Sequence, residues 1–164
     1  MNIKRLYAKV LSIISAVTGV DSAKKFDAQL RFQKKLNLKN PTTLSDKVTY
    51  IELHEQSPLA PSCTDKYAVR EYVEKKGLGD ALVPLVGGPW SSTEEVNFAA
   101  LPDRFVIKAT HGCKMNYLVS NKATMDVEKC RREMNRWLAT TYGGYSMELH
   151  YLTIPHRIYA EKYL

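Results

Sequence analysis

Paired cysteines, long apolar runs, internal repeats and dense basic tracts are all missing from this 164-residue chain. Its three cysteines, Cys63, Cys113 and Cys130, are odd in number and widely spaced. No C-x-x-C pair and no histidine at zinc-ligand spacing accompanies them, which excludes a disulfide scaffold and a zinc ribbon and fits a reduced, cytoplasmic setting. No apolar stretch is long enough to span a bilayer. Lysine and arginine outnumber acids to give a formal charge of +7, yet they are scattered, and no basic run with interleaved aromatics marks a nucleic-acid track. The surplus favours nucleotides, polyanionic sugars or anionic lipid instead. The sequence also has no Asp-x-Asp pair, the motif that would hold the metal of a sugar diphosphate.

What is present fits one soluble globular protein of ordinary size. The start, MNIKRLYAKVLSIISAVTGV, joins a basic opening to an apolar run, as a signal peptide does. Ser12, Ser15 and Thr18 break that run and no small-x-small cleavage site follows. Leu6, Val10, Ile13, Ile14 and Val17 recur at helical spacing beside Lys4, Arg5 and Lys9, which predicts an amphipathic helix packed on the domain. Peripheral contact with an anionic membrane, at its inner face, stays open.

A basic helical stretch over 27–37 leads to a turn at Pro41. Thr43 or Ser45 caps a helix over 45–54 that points Val48, Ile51 and Leu53 to a core. Thr64 is expected to cap the next helix, TDKYAVREYVEKKG, closed by Gly77; it sets Lys66 and Arg70 four apart, on one face. Leu82 to Val86 reads as a strand, GGPW as a turn, and Ser91 or Ser92 with Glu94 or Glu95 as a capping box opening a short helix. FVIKA and the segment 116–120 form a hairpin, and a helix from Asp126 to about Tyr142 carries Val127, Cys130, Met134, Trp137, Leu138 and Thr141 at core spacing. After a loop over 142–151, RIYAEKYL is a strand with Ile158 and Ala160 inward, paired with FVIKA. The order of elements predicts an α+β arrangement, with a helical region over 1–62 and a sheet-bearing region over 63–164.

The segment RFVIKATHGCKMNYLV carries the chemistry. A lysine ending a strand beside a glycine-containing loop can hold a phosphate or carboxylate, because a fixed ammonium and outward backbone N–H groups converge there. Taken alone the signal is weak, since many hairpins share it. His111 in that loop is a candidate to bond a phosphate or an acceptor, although a lone turn histidine is more often structural. Cys113 is more simply a small loop residue than a reactive thiol.

Three pieces then align in order: Asp65-Lys66 opening a helix that ends at Gly77, RFVIKATHG, and AEKYL. With NPTTLSDK, LPDRFVIKATHG and RIYAEKYL, the succession resembles the N-terminal half of ATP-grasp enzymes and is most similar to the TupA-like branch. That branch is associated with teichuronopeptide and other cell-surface polysaccharide synthesis, and its members are often labelled glycosyltransferases. The resemblance implies ATP as cofactor, with Lys66 and Lys108 at the phosphates and Arg70 as a helper. Gly112 and Lys114 would lie in the phosphate loop, Glu161 at the adenine, and the backbone of Lys162, Tyr163 and Leu164 at the adenine edge. Lys114 stands where many such loops carry glycine, which makes a poorer lid and offers a third cation.

The resemblance further implies a carboxylate–amine ligase acting through an acyl phosphate on a carboxylate or acidic glycan. The magnesium ligands would lie in a sheet following the adenine linker, so Mg²⁺ is expected only of a longer chain. Such a half-fold is expected to end on an unpaired strand edge and to dissolve poorly by itself. Two other readings remain beside it: a glycosyltransferase using a nucleotide sugar, which the missing Asp-x-Asp disfavours, and a non-catalytic binding module.

Overall fold

The computed structural model of the chain describes residues 3–55, 57–143 and 148–164. The chain divides into two compact units, Met1–Ala60 with Thr141–Leu152, and Pro61–Thr140 with Thr153–Leu164. The architecture is α+β, with helices preceding and flanking one antiparallel sheet.

In the first unit, α1 (Ile3–Thr18) and α2 (Val20–Phe32) pack as neighbours through Leu11 and Ala23, with Tyr7, Ile14 and Val20 around them. Gly19, at φ 88°, turns one helix into the other in a region an L side chain rarely adopts. The second helix thus begins earlier than the basic stretch at 27 suggested, and it stops at Gln33 in the left-handed conformation. Asp27 is buried and accepts a 2.5 Å hydrogen bond from the Tyr7 hydroxyl.

Thr43 caps α3 (Leu44–His54) in a reciprocal box with Asp46. The Asp46 carboxylate also accepts from the Asn37 backbone N–H at 2.9 Å, so it fastens the turn ahead of the helix. Those backbone donors, Asn37 first, hold its carboxyl below the usual carboxylate range. Val48 and Ile51, expected in a core, are 56% and 51% exposed. Helical periodicity identified an apolar stripe here, but nothing in this unit covers it.

In the second unit, α4 (Ala60–Thr64) and α5 (Val69–Lys75) are joined by a turn that Asp65, not Thr64, caps: its Oδ1 accepts from the N–H groups of Tyr67 and Ala68. Gly77, at φ 74°, closes α5 as expected. The sheet runs β1 (Leu85–Trp90), β4 (Ile158–Lys162), β2 (Phe105–Ala109), β3 (Asn116–Val119), each neighbour antiparallel. The final strand is therefore an inner strand hydrogen-bonded on both sides, which corrects the expected unpaired terminal edge. GGPW is part of β1 rather than a turn. A Cβ on Gly88 would lie 2.9 Å from the Tyr159 Cα, so this glycine lets β1 approach β4.

Strand alternation divides the sheet by face. Phe105, Ile107, Ala109, Val119, Ile158 and Ala160 form one core with Cys130, Met134 and Trp137 of α6 (Val127–Leu138). Asp126 caps α6 through the Lys129 N–H, and the helix ends at Leu138, leaving Val127 and Thr141 exposed rather than in the core. Ser91 bonds the Glu95 carboxylate without starting a helix; the following turn is a short 3-10 segment at Phe98–Ala100. Of the expected loop over 142–151, residues 144–147 lie outside the described ones, and 149–153 form a 3-10 turn.

Candidate functional site

The sheet face opposite α6 carries the candidate chemistry. Strand period puts Val106 and Lys108 of β2, Leu118 of β3, and Tyr159 and Glu161 of β4 on this face together. Glu161 pairs across from Val106 and Lys108 across from Tyr159, so the lysine and the carboxylate are diagonal neighbours within side-chain reach. They form an ion pair, and the second Glu161 oxygen accepts from Arg70 at 3.3 Å. Arg70 also donates to the Val83 carbonyl at 2.7 Å. Glu161 is buried to 6% exposure and Arg70 nearly so, while Lys108 keeps about a third of its side chain open. One carboxylate between two cations leaves the cluster with a surplus positive charge at its open end.

Beside this cluster lies an open pocket of about 220 Å³, lined by Val83, Val106, Lys108, Leu118 and Glu161 and, along one side, by Lys162, Tyr163 and Leu164. The Arg104 guanidinium sits 4.3 Å from the Tyr163 ring centroid, a cation–π contact that props this side. The lining is mostly apolar with charge at one side, the usual composition of a small-ligand site, and its volume suits a heterocyclic base rather than a whole nucleotide.

Lys66 reaches the same neighbourhood from the turn before α5. Its backbone N–H donates to the Thr110 carbonyl at 3.2 Å and its ammonium to the Gly112 carbonyl. The turn is held down by Asp65, whose Oδ2 accepts from Arg157 at 3.1 Å, and by Tyr159, buried against it with the Tyr67 ring edge-on at 5.6 Å. Burial, chiefly, lowers the Lys66 pKa; the charge of Lys108 adds to that shift, while Cys113 and Asp65 oppose it. The Lys108 ammonium is therefore near enough for its charge to be felt at Lys66. Burial raises the Tyr159 hydroxyl far above the tyrosine range, with Glu161 adding to it, so it stays protonated.

The loop between β2 and β3 returns through Ala109 N–H to the Met115 carbonyl, 3.0 Å, and Thr110 fixes it to the segment before β4. Gly112 is buried, and Lys114 is exposed at φ 60°, the left-handed region where glycine carries no steric cost. His111 is placed elsewhere. Its ring is fully buried, stacked 3.8 Å from His156, with Nε2 at 2.9 Å from the Trp137 carbonyl. Together with His156, whose Nδ1 lies 2.9 Å from the Leu138 carbonyl, it terminates α6. Burial lowers its pKa to about 4. The ring sits at a helix end, outside the pocket lining, and ties the loop to α6.

The sequence-predicted residues thus fall into three sets. Lys108, Glu161, Lys162, Tyr163 and Leu164 share the pocket, with Arg70 bonded to Glu161; Lys66 and Gly112 bind each other beside it; and His111 and Lys114 lie outside the lining, the first packed on α6 and the second exposed. Asp65, Arg157, Tyr159 and Arg104 were not foreseen. For Tyr159 the signal was available, since Ile158 and Ala160 facing inward put Tyr159 and Glu161 together outward. The Asp65–Arg157 pair spans 92 positions and has no local signature. As for magnesium, no three His, Cys, Asp or Glu side chains converge among the described residues, and Asp65 and Glu161 are already engaged by cations, so the residues present do not fit that ion.

No curated protein and no solved structure matches this chain. The profile of the TupA-like ATPgrasp family matches residues 46–164, which include every side chain of the pocket and both lysines. The chain belongs to the TupA-like ATP-grasp family.

Proposed function

We propose that the sheet face around Lys108 and Glu161 binds ATP, as the nucleotide-holding part of a carboxylate–amine ligase of cell-surface polysaccharide assembly. One observation carries the reading: a surplus cation, a buried carboxylate and the 162–164 segment line a single pocket large enough for a purine. The base lies between Val106, Leu118 and the 163–164 side chains, with its polar edge toward the backbone of that segment.

Triphosphate charge draws Lys108 away from Glu161 toward the phosphates, where a fixed ammonium in a partly dry site acts strongly. Arg70 holds Glu161 in place when Lys108 leaves, so one carboxylate oxygen becomes available to the amino group or ribose. Lys66, already partly desolvated beside the loop, adds the second cation. These residues bind and orient the nucleotide; no metal-assisted transfer step is assigned to them. The acceptor reading is a carboxylate or acidic glycan, in keeping with the family and with the basic charge.

Melting the protein with ATP and, separately, with a UDP-sugar tests this directly. A ligand that binds only the folded state raises Tm by mass action. ATP is expected to raise it and the UDP-sugar to leave it unchanged; the opposite pattern would move the protein to the nucleotide-sugar class, and no response to either would remove the pocket as a nucleotide site.

A further inference from the structure

Helix α1 has two apolar faces. Tyr7, Leu11 and Ile14 pack toward α2. Leu6, Val10, Ile13 and Val17 stay open to solvent, Ile13 at 62% and Val17 at 77% exposure. Steps of four, three and four residues keep these side chains within roughly 60° of arc along the helix. Lys9 is exposed in the same helix, and α1 has no acid in its sequence. The first sixty residues carry ten lysines and arginines against five acids, +5 of the chain's formal +7. The stripe also lies wholly outside residues 46–164, the part matched by the family.

We propose that the exposed stripe of α1 docks the protein on an anionic lipid surface, its four apolar side chains in the interfacial layer and Lys9 among the headgroups. No helix among the described residues is long and apolar enough to cross a membrane, so α1 lies in the plane of the interface. A second copy of the chain is the weaker occupant. Two such units would meet with like charge. The stripe spans only about two heptads where a coiled coil needs roughly three to four, and four side chains offer a few hundred Å² at most against the ~800 Å² per partner of a stable interface. Low salt and anionic lipid therefore strengthen attachment, and salt weakens it. The inference does not rest on the nucleotide reading.

Flotation of the full chain with vesicles of phosphatidylcholine alone, or with about a third phosphatidylglycerol, tests it. Binding is expected to the anionic vesicles only, weakened about tenfold by Ile13→Glu or Val17→Glu and several-fold by Lys9→Glu or raised salt, with unchanged Tm and circular dichroism. If Ile13→Glu alters the fold, Val17→Glu at the most exposed position decides. Absence of binding, equal binding to neutral vesicles, or indifference to both glutamates would overturn the proposal. So would a dimer in sedimentation that Ile13→Glu dissolves, which would assign the stripe to a second copy.

Discussion

The unit built on the four strands has a core in which Phe105, Ile107, Met134 and Ile158 are fully buried, although Leu78, Leu118 and Leu164 stay open, whereas the helical unit buries few large side chains and leaves Ile13, Val17, Leu44, Val48 and Ile51 more than half exposed. In the sheet unit, order comes from a shared core packed by alternate residues of three strands and one face of α6. In the helical unit it comes largely from polar fastenings: Tyr7 on Asp27, which with burial pushes the Tyr7 hydroxyl up to about 12; Lys24 on Glu52 at 3.0 Å; and the Thr43–Asp46 box. The first arrangement is complete in itself and frees the opposite sheet face for a ligand. The second spends little apolar surface internally and presents the remainder outward, the pattern of an element made to meet another surface.

The largest effect that separates the two units is core truncation. Phe105→Ala should destabilise the sheet unit by about 3–5 kcal/mol, read from urea unfolding. Ile13→Ala in α1 should cost less than about 0.5 kcal/mol. Comparable losses at both positions would erase the contrast.

Acid sharpens it next. The folded-state pKa of His111, about 4, lies below the 6.5 of an ordinary histidine, so the unfolded chain takes up the proton first as pH falls. Stability is full above pH about 6.5, declines by up to about 3 kcal/mol on the way to pH 4, and levels there. His111→Gln should flatten the midpoint of unfolding between pH 6.5 and 4; an unaltered slope would show that the buried ring is not its source.

A smaller and more local loss is expected in the helical unit. Thr43→Ala removes the cap of α3 and should cost about 1 kcal/mol, with faster amide exchange confined to 37–54 and no change in the sheet strands. Smaller still is a gain: Lys114→Gly relieves a left-handed backbone in the β2–β3 loop and should leave Tm unchanged or slightly raised. A clear fall in Tm would mean that the Lys114 side chain supports the loop.

The parts that could be read from the sequence were those with a local code. FVIKA and its partner announced themselves by alternation, α6 by its three-and-four spacing, and α5 by Gly77. The pocket was legible to the extent that Lys108 and Glu161 sit on alternating strands whose inward residues are plain. The pairing of the last strand with FVIKA was legible too, but not its second neighbour, because the place of β1 on its other side depends on pairings more than sixty residues apart. GGPW misled because tight approach of two strands and a turn demand the same small residues. The setting of His111 was hidden for a different reason: a histidine beside a phosphate-type loop looks the same in sequence whether its ring is open or packed on the end of a helix, and its Nε2 lies 2.9 Å from the Trp137 carbonyl. Likewise Arg70 shares a helical face with Lys66 by spacing, yet the turn at Asp65 breaks that helix and sends the guanidinium to Glu161.

The central claim, that one purine nucleotide occupies the pocket lined by 162–164 with its phosphates on Lys108, is tested most directly by photolabelling with 8-azido-ATP and mapping the modified peptide. Label on the Leu118 strand or on 159–164, competed by ATP and reduced about tenfold or more by Lys108→Ala while Lys75→Ala leaves it intact, is the predicted result. Label confined to other segments, or a yield indifferent to Lys108→Ala, would contradict it.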